Sequence, residues 1–137
     1  MGYIEEVNEA LAAYPAFWQR VGDYRFTEDA LDTLQINIGL RCNLACKHCH
    51  VESSPARTEE MSRETLEQCL AVFRNRGFKT IDITGGAPEM NPDYEWFLRE
   101  AVAAGANVMT RSNLSICKEP GYEHIPDLWA ELGITVI

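Results

Sequence analysis

Residues 34–55 read LQINIGLRCNLACKHCHVESSP, and the opening LQINIGL decides the fold. It sets an apolar residue at every second position, isoleucines among them, which is the period of a half-buried strand. A cysteine-rich loop follows, and after it the helical period takes over. In TEEMSRETLEQCLAVFRNRG, residues 58–77, Met61, Leu66, Leu70 and Phe73 fall on one face, Thr58 or Ser62 is placed to cap the start, and Gly77 to end it. The pattern then repeats. KTIDITGG (79–86) reads as a second strand running into a glycine turn, and NPDYEWFLREAVAAG (91–105) as a helix capped by Asn91 with Pro92 at its first position. NVMTRSNL (107–114) predicts a third strand, residues 122–132 a further helix, and GITVI (133–137) the start of a fourth strand. Ahead of these, residues 3–21 form a helical lead-in with Leu11, Phe17 and Trp18 as expected buried positions. Strands and helices in alternation imply parallel strands joined by right-handed crossovers, hence an α/β sheet or part of a barrel.

In such folds ligands bind at the carboxyl ends of the strands, where the strand-to-helix loops gather. The chemically unusual residues all fall there. Cys42 to His50 follow the first strand, GGAPE (85–89) the second and RSNLSICKEPG (111–121) the third, so three loops distant in sequence are expected to converge on one pocket.

The rest of the 137 residues narrows the function classes. A hydrophobic content of 46% suffices for a core in one domain of ordinary size. The 21 acidic against 12 basic residues give a net charge of −9, which argues against nucleic acid or an anionic membrane as partner. The first residues, MGYIEEVNEA, are acidic where a signal peptide is basic, and no apolar run approaches the ~20 residues of a membrane span, so a cytoplasmic location is expected. Five cysteines, an odd number with three clustered, suit metal binding in a reducing compartment better than a disulfide framework.

The clustered cysteines have the spacing C-x3-C-x2-C. Three thiolates on one loop can ligate three irons of a 4Fe-4S cluster and leave the fourth iron open to a substrate or cofactor. Zinc is the rival reading, but structural zinc takes four ligands, commonly as two separated pairs, and here it would have to recruit His48 or His50. Free thiols are the bland reading, and buried structural cysteines rarely arrive as a polar, histidine-bearing cluster.

These residues resemble the radical S-adenosylmethionine enzymes, whose signature is the same cysteine spacing with an aromatic residue or histidine before the last cysteine, the place of His48. The resemblance implies that Cys42, Cys46 and Cys49 ligate the cluster, that its open iron is chelated by S-adenosylmethionine, and that one electron cleaves the carbon–sulfur bond to give a 5′-deoxyadenosyl radical. It also implies a flavodoxin or ferredoxin as electron donor and the N-terminal portion of a (βα)6 partial TIM barrel, with residues 1–33 as lead-in and 34–137 as an incomplete half-barrel that stops at about the fourth strand. The family's Gly-Gly-Glu-type turn corresponds to Gly85 and Gly86, with Ala87 where the acid usually stands and Glu89 two positions on. More narrowly, LQINIGLRCNLACKHCHVESSP, DITGGAPEMNP and TRSNLSICKEPGYE look like the arsenosugar-biosynthesis branch, in which the adenosyl group is joined to a trivalent dimethylated arsenical.

Other residues of the three loops are assigned by position. The resemblance implies Gly85, Gly86 and Glu89 as contacts to S-adenosylmethionine; Ser112 and Asn113 either bond its carboxylate or ribose or cap their own loop, and Arg111 is placed to pair with the carboxylate. Arg57 stands where it would balance cluster charge, and His50 lines the pocket or bonds its own loop. Cys117 is read as a buried thiol rather than an arsenic ligand, and Cys69, mid-helix, as core. No catalytic side chain is assigned.

Overall fold

The computed structural model describes residues 31–137 and, ahead of them, Glu9, Ala12, Ala13 and Gln19. Residues up to Ala30 form a unit of their own, in which Glu9, Ala12 and Gln19 are helical and the Ala13 N–H donates to the Glu9 carbonyl at 3.2 Å. The expected buried positions Leu11, Phe17 and Trp18 lie outside the described residues.

From Leu31 the chain alternates as expected. Strands β1 (Thr33–Asn37), β2 (Thr80–Thr84), β3 (Asn107–Thr110) and β4 (Thr135–Val136) form one parallel sheet in sequential order. Helices α1 (Arg63–Arg76), α2 (Tyr94–Ala103) and α3 (Ile125–Leu132) connect them. The register sets Ile36 beside Ile83, Ile81 beside Val108 and Thr110 beside Val136. The sheet's Ile36, Ile81, Ile83 and Val108 share a core with Leu66, Leu70 and Phe73 of α1, Phe97 and Leu98 of α2, and Leu128 and Trp129 of α3. Side chains alternate across a strand, so Asp82, between two core isoleucines, belongs to the opposite face.

Helix α1 follows the sequence reading closely. Of the two candidate caps it uses Ser62, whose Oγ accepts the Thr65 N–H, and Gly77 ends it at φ 72°, where a side chain would be strained. Met61 falls just before the cap, partly buried against the core, in the position of a hydrophobic staple.

Several boundaries differ: helix α3 begins at Ile125 rather than at residue 122, and three further shifts have a visible cause. Strand β1 stops at Asn37 rather than Leu40, because the Asn37 Oδ1 accepts the Gly39 N–H and Gly39 turns away to bridge Glu60. Strand β3 stops at Thr110 rather than Leu114, giving way to a 3-10 turn at Ser115–Lys118. Helix α2 begins at Tyr94 with Asp93 as its cap, not Asn91. A 3-10 turn at Pro88–Met90 intervenes, and Asn91 closes it. Asn91 is buried: its Nδ2 donates to the Ile38 and Met61 carbonyls at 3.0 Å each, and its Oδ1 accepts the Asp93 N–H at 2.8 Å. It therefore fastens the end of β1, the start of α1 and the start of α2. Among the described residues no helix is long and apolar enough to cross a membrane.

Candidate metal centre

The cysteine loop is closed at its base by backbone hydrogen bonds. Cys42 N–H donates to Ser54 O at 3.2 Å, Leu40 N–H to Glu59 O at 2.9 Å, and Met61 N–H to Ile38 O at 3.0 Å. The turn after β2 straps the same segment from its other side, Gly86 N–H donating to Gly39 O at 3.0 Å and Ala87 N–H to Arg41 O at 2.9 Å. This approach requires glycine. A Cβ on Gly86 would sit 2.5 Å from Arg41 O and 2.9 Å from Cys42 Cβ, and one on Gly85 would sit 2.7 Å from Gly39 O. The pair that the sequence presents as a turn is thus the surface on which the cysteine loop rests.

Beyond the carboxyl ends of the strands a cavity of about 230 Å3 opens, lined by Cys42, Cys46 and Cys49 together with His48, His50, Gly86 and Asn113. Cys42 is buried, Cys49 half-buried and Cys46 exposed. Two sulfurs already receive donors. Leu44 N–H reaches Cys42 Sγ at 3.4 Å, with Asn113 Nδ2 at 3.6 Å, and Ser53 N–H reaches Cys49 Sγ at 3.4 Å. The backbone N–H groups of Ser53 and then Val51 hold the Cys49 thiol below its ordinary range, favouring the thiolate that binds metal. All three cysteines line this one cavity, a set of three soft sulfur donors.

The other expected contacts are distributed unevenly. Gly86 and Asn113 line the cavity, whereas Gly85, Glu89 and Ser112 do not. Glu89 is only 4% exposed and neither of its carboxylate oxygens has a hydrogen-bond partner. Burial pushes its carboxyl up, an effect the Ser112 hydroxyl and the local backbone only oppose. Burial is also the main cause raising the Tyr94 phenol and the Cys117 thiol, with the Glu89 charge adding to each. Cys69 is half-buried in α1, and burial raises it too.

Both arginines are committed elsewhere. Arg111, expected to meet a cofactor carboxylate, instead forks onto Asp82, with Nε 3.1 Å from Oδ1 and Nη2 2.9 Å from Oδ2. Gln35 Nε2 donates to the same carboxylate at 2.6 Å. The physical reason is that Asp82 is 2% exposed and a buried carboxylate needs a counter-charge; Arg111, and then Gln35, hold it below the usual carboxylate range. Arg57 forks onto Glu59 and donates to the Glu52 carbonyl rather than turning to the cavity. Asn43 and Ser115, not singled out from the sequence, bond Asn113 beside Cys42. The only sequence signal for Asn43 was its position between two candidate ligands.

The radical SAM superfamily profile matches residues 36–137. Over 69 residues the chain is 39% identical to YydG of Bacillus subtilis, assigned by name to peptide biosynthesis, covering 50% of this chain and 21% of that protein. Over 86 residues it is 33% identical to AlbA of the same organism, an antilisterial bacteriocin subtilosin biosynthesis protein, covering 57% and 19%. A protein of Archaeoglobus fulgidus named as a GTP 3′,8-cyclase is 35% identical over 60 residues, covering 44% and 20%. The chain spans about a fifth of the length of these relatives. With the match running from Ile36 in β1 to Ile137, the chain belongs to the radical SAM superfamily, an enzyme family that uses a 4Fe-4S cluster and S-adenosylmethionine.

Proposed function

We propose that Cys42, Cys46 and Cys49 hold a 4Fe-4S cluster at which S-adenosylmethionine is reductively cleaved. The observation that carries this reading is the ring of three thiols around one cavity at the carboxyl ends of a parallel sheet. The donor set fits the group, being soft sulfur ligands with N–H donors already aimed at two of them. When bound, the cluster supplies the electron that breaks the carbon–sulfur bond and yields the 5′-deoxyadenosyl radical. The chain's own contribution is positional. Gly86 keeps the wall beside Cys42 free of a side chain, Asn113 lines the same cavity, and Gly85 packs against the backbone of Gly39 at the base of the loop. Glu89 and Ser112, behind the wall, are proposed as its support rather than as direct contacts. The electron comes from a small donor protein such as a flavodoxin or ferredoxin.

For the substrate we propose a trivalent dimethylated arsenical, joined to the deoxyadenosyl group on the way to arsenosugars; the support is the resemblance of residues 34–55, 82–92 and 110–123. A second reading, modification of a peptide, is favoured by the likeness to YydG and AlbA. The test begins with anaerobic reconstitution and iron and sulfide analysis; about four irons per chain is expected, and negligible uptake by a soluble sample would defeat the cluster reading. The reduced protein is then given S-adenosylmethionine with a dimethylated arsenical. A deoxyadenosyl–arsenic adduct supports the first substrate. Free 5′-deoxyadenosine without adduct rejects it and leaves the peptide reading.

A further inference from the structure

We propose that Asn113 is a positioning residue for the sulfur of Cys42: its side-chain amide donates to that sulfur and makes the cluster easier to reduce. The inference rests on the cluster reading above and concerns a different interaction from any contact with S-adenosylmethionine.

The amide's orientation is determined by its partners. Asn113 Oδ1 accepts the backbone N–H of Ile116 at 3.1 Å, and a backbone N–H can only donate, so the carbonyl end must face Ile116. Nδ2 therefore faces the other way, 3.6 Å from Cys42 Sγ and 2.8 Å from Asn43 Oδ1. Asn43 Nδ2 donates to Ser115 Oγ at 2.9 Å, and Ser115 Oγ donates to Asn113 Oδ1 at 3.0 Å. Asn113, Asn43 and Ser115 thus close a ring in which every side-chain polar group has a partner. This ring ties the loop after β3 to the cysteine loop, across 71 positions of sequence between Cys42 and Asn113. Leu114, next in the chain, is held at φ 58°, with its N–H donated to Ser112 Oγ at 3.1 Å. A bulky residue in the left-handed region persists only where its surroundings impose it, here where the loop bends to bring Asn113 onto the sulfur.

The consequence is an asymmetry among the three sulfurs. Cys42 receives the Leu44 N–H and the Asn113 amide, Cys49 receives the Ser53 N–H, and Cys46 is exposed with no such donor among the described residues. Hydrogen bonds to cluster sulfurs stabilise the more negative, reduced state and so raise the reduction potential. With its polar atoms engaged by these partners, the Asn113 side chain lines the cavity in a fixed orientation and acts on Cys42.

Asn113→Leu tests this most cleanly, because it removes the donor at similar volume without adding a charge, whereas a carboxylate in its place would lower the potential by its own charge. Asn113→Ala removes the donor and the volume, and Ser115→Ala loosens the ring while sparing the donor. In the reconstituted full chain at a fixed reductant ratio, the reduced-to-oxidised cluster ratio, read by EPR, is expected to fall about tenfold in Asn113→Leu, and less in Ser115→Ala. Equal ratios in parent and Asn113→Leu samples with matched iron content overturn the potential effect. In the apo-chain, alkylation of Cys42 followed by mass spectrometry is expected to quicken about fivefold in Asn113→Ala, with Cys69 unchanged. An unchanged Cys42 rate overturns the clamp. Failure of the parent chain to take up iron would reject the cluster reading and the potential effect together, while the alkylation result would still decide the clamp.

Discussion

The helix-covered side of the sheet and the loop rim at its carboxyl ends are built on different physics. The core side is held by shape and area: Phe97, Leu66, Ile81, Ile83 and Leu98 are fully buried carbon, and none of them depends on a specific partner atom. The rim buries less carbon, a small cluster of Cys42, Ala87 and Ile116. Its position depends on backbone bonds from Gly86 and Ala87, a forked ion pair at Asp82 and the ring through Asn43, Asn113 and Ser115. A close-packed core tolerates a change of residue that keeps volume, whereas a rim of directed bonds tolerates a change of volume only where no donor is lost. Stability and chemistry are therefore separable in this chain.

The largest effect expected is on the core side. Phe97→Ala should lower the unfolding free energy by about 3–5 kcal/mol, measured by urea denaturation, and cost iron uptake only through the unfolded fraction. Loss of cluster binding in a variant that stayed fully folded would break the separation. The next effect is on the rim. Gly86→Ala drives a Cβ into Arg41 O and should cost about 1–3 kcal/mol, with a clear drop in bound iron while the helical circular dichroism of the folded population persists. Full iron content in this variant would show that the cysteine loop does not need its seat.

Glu89 refines the boundary between the two regions, being a titratable carboxyl that is buried with neither oxygen hydrogen-bonded. Its folded pKa lies above the unfolded value, so its contribution to stability is present at low pH and is lost as pH rises from the ordinary carboxylate range through the folded pKa. Glu89→Gln removes that loss. The variant should match the parent near about pH 4 and exceed it by about 1 kcal/mol at neutral pH, read from melting curves across that range. A neutral-pH penalty instead would mean that the carboxylate has a partner that stabilises it. The smallest effect is expected at Cys69, half-buried in α1 and away from the cavity. Cys69→Ala should change stability by less than about 1 kcal/mol and leave iron content unchanged.

How far the sequence could be read depended on the range of the interaction that decides each feature. Helix α1 was legible in its apolar face and its terminating Gly77, which are local signals, while the choice of Ser62 over Thr58 as cap was left to the structure. The start of α2 was not. Asn91 looked like a cap, but its amide is drawn to the Ile38 and Met61 carbonyls, partners that no local pattern announces. Arg111 was readable as a cation at the end of a strand. That it would be claimed by Asp82 required knowing that β2 and β3 pair in the register that sets Asp82 beside Met109. Glu89 stood two positions from an expected acid site, yet the turn it occupies buries it away from the cavity.

By itself the sequence determined the alternation of strands and helices and the gathering of three thiols on one short loop. Periodicity and ligand spacing are properties of neighbouring residues, and each is expressed within a few positions. Only the tertiary structure decided that Gly86 must lack a side chain to let Cys42 approach, that Arg111 serves Asp82, and that Asn113 turns its amide to a sulfur 71 residues earlier. These are contacts between loops on different strands. Their geometry is set by sheet register and by the packing of the helices behind it, both consequences of the whole chain folding together.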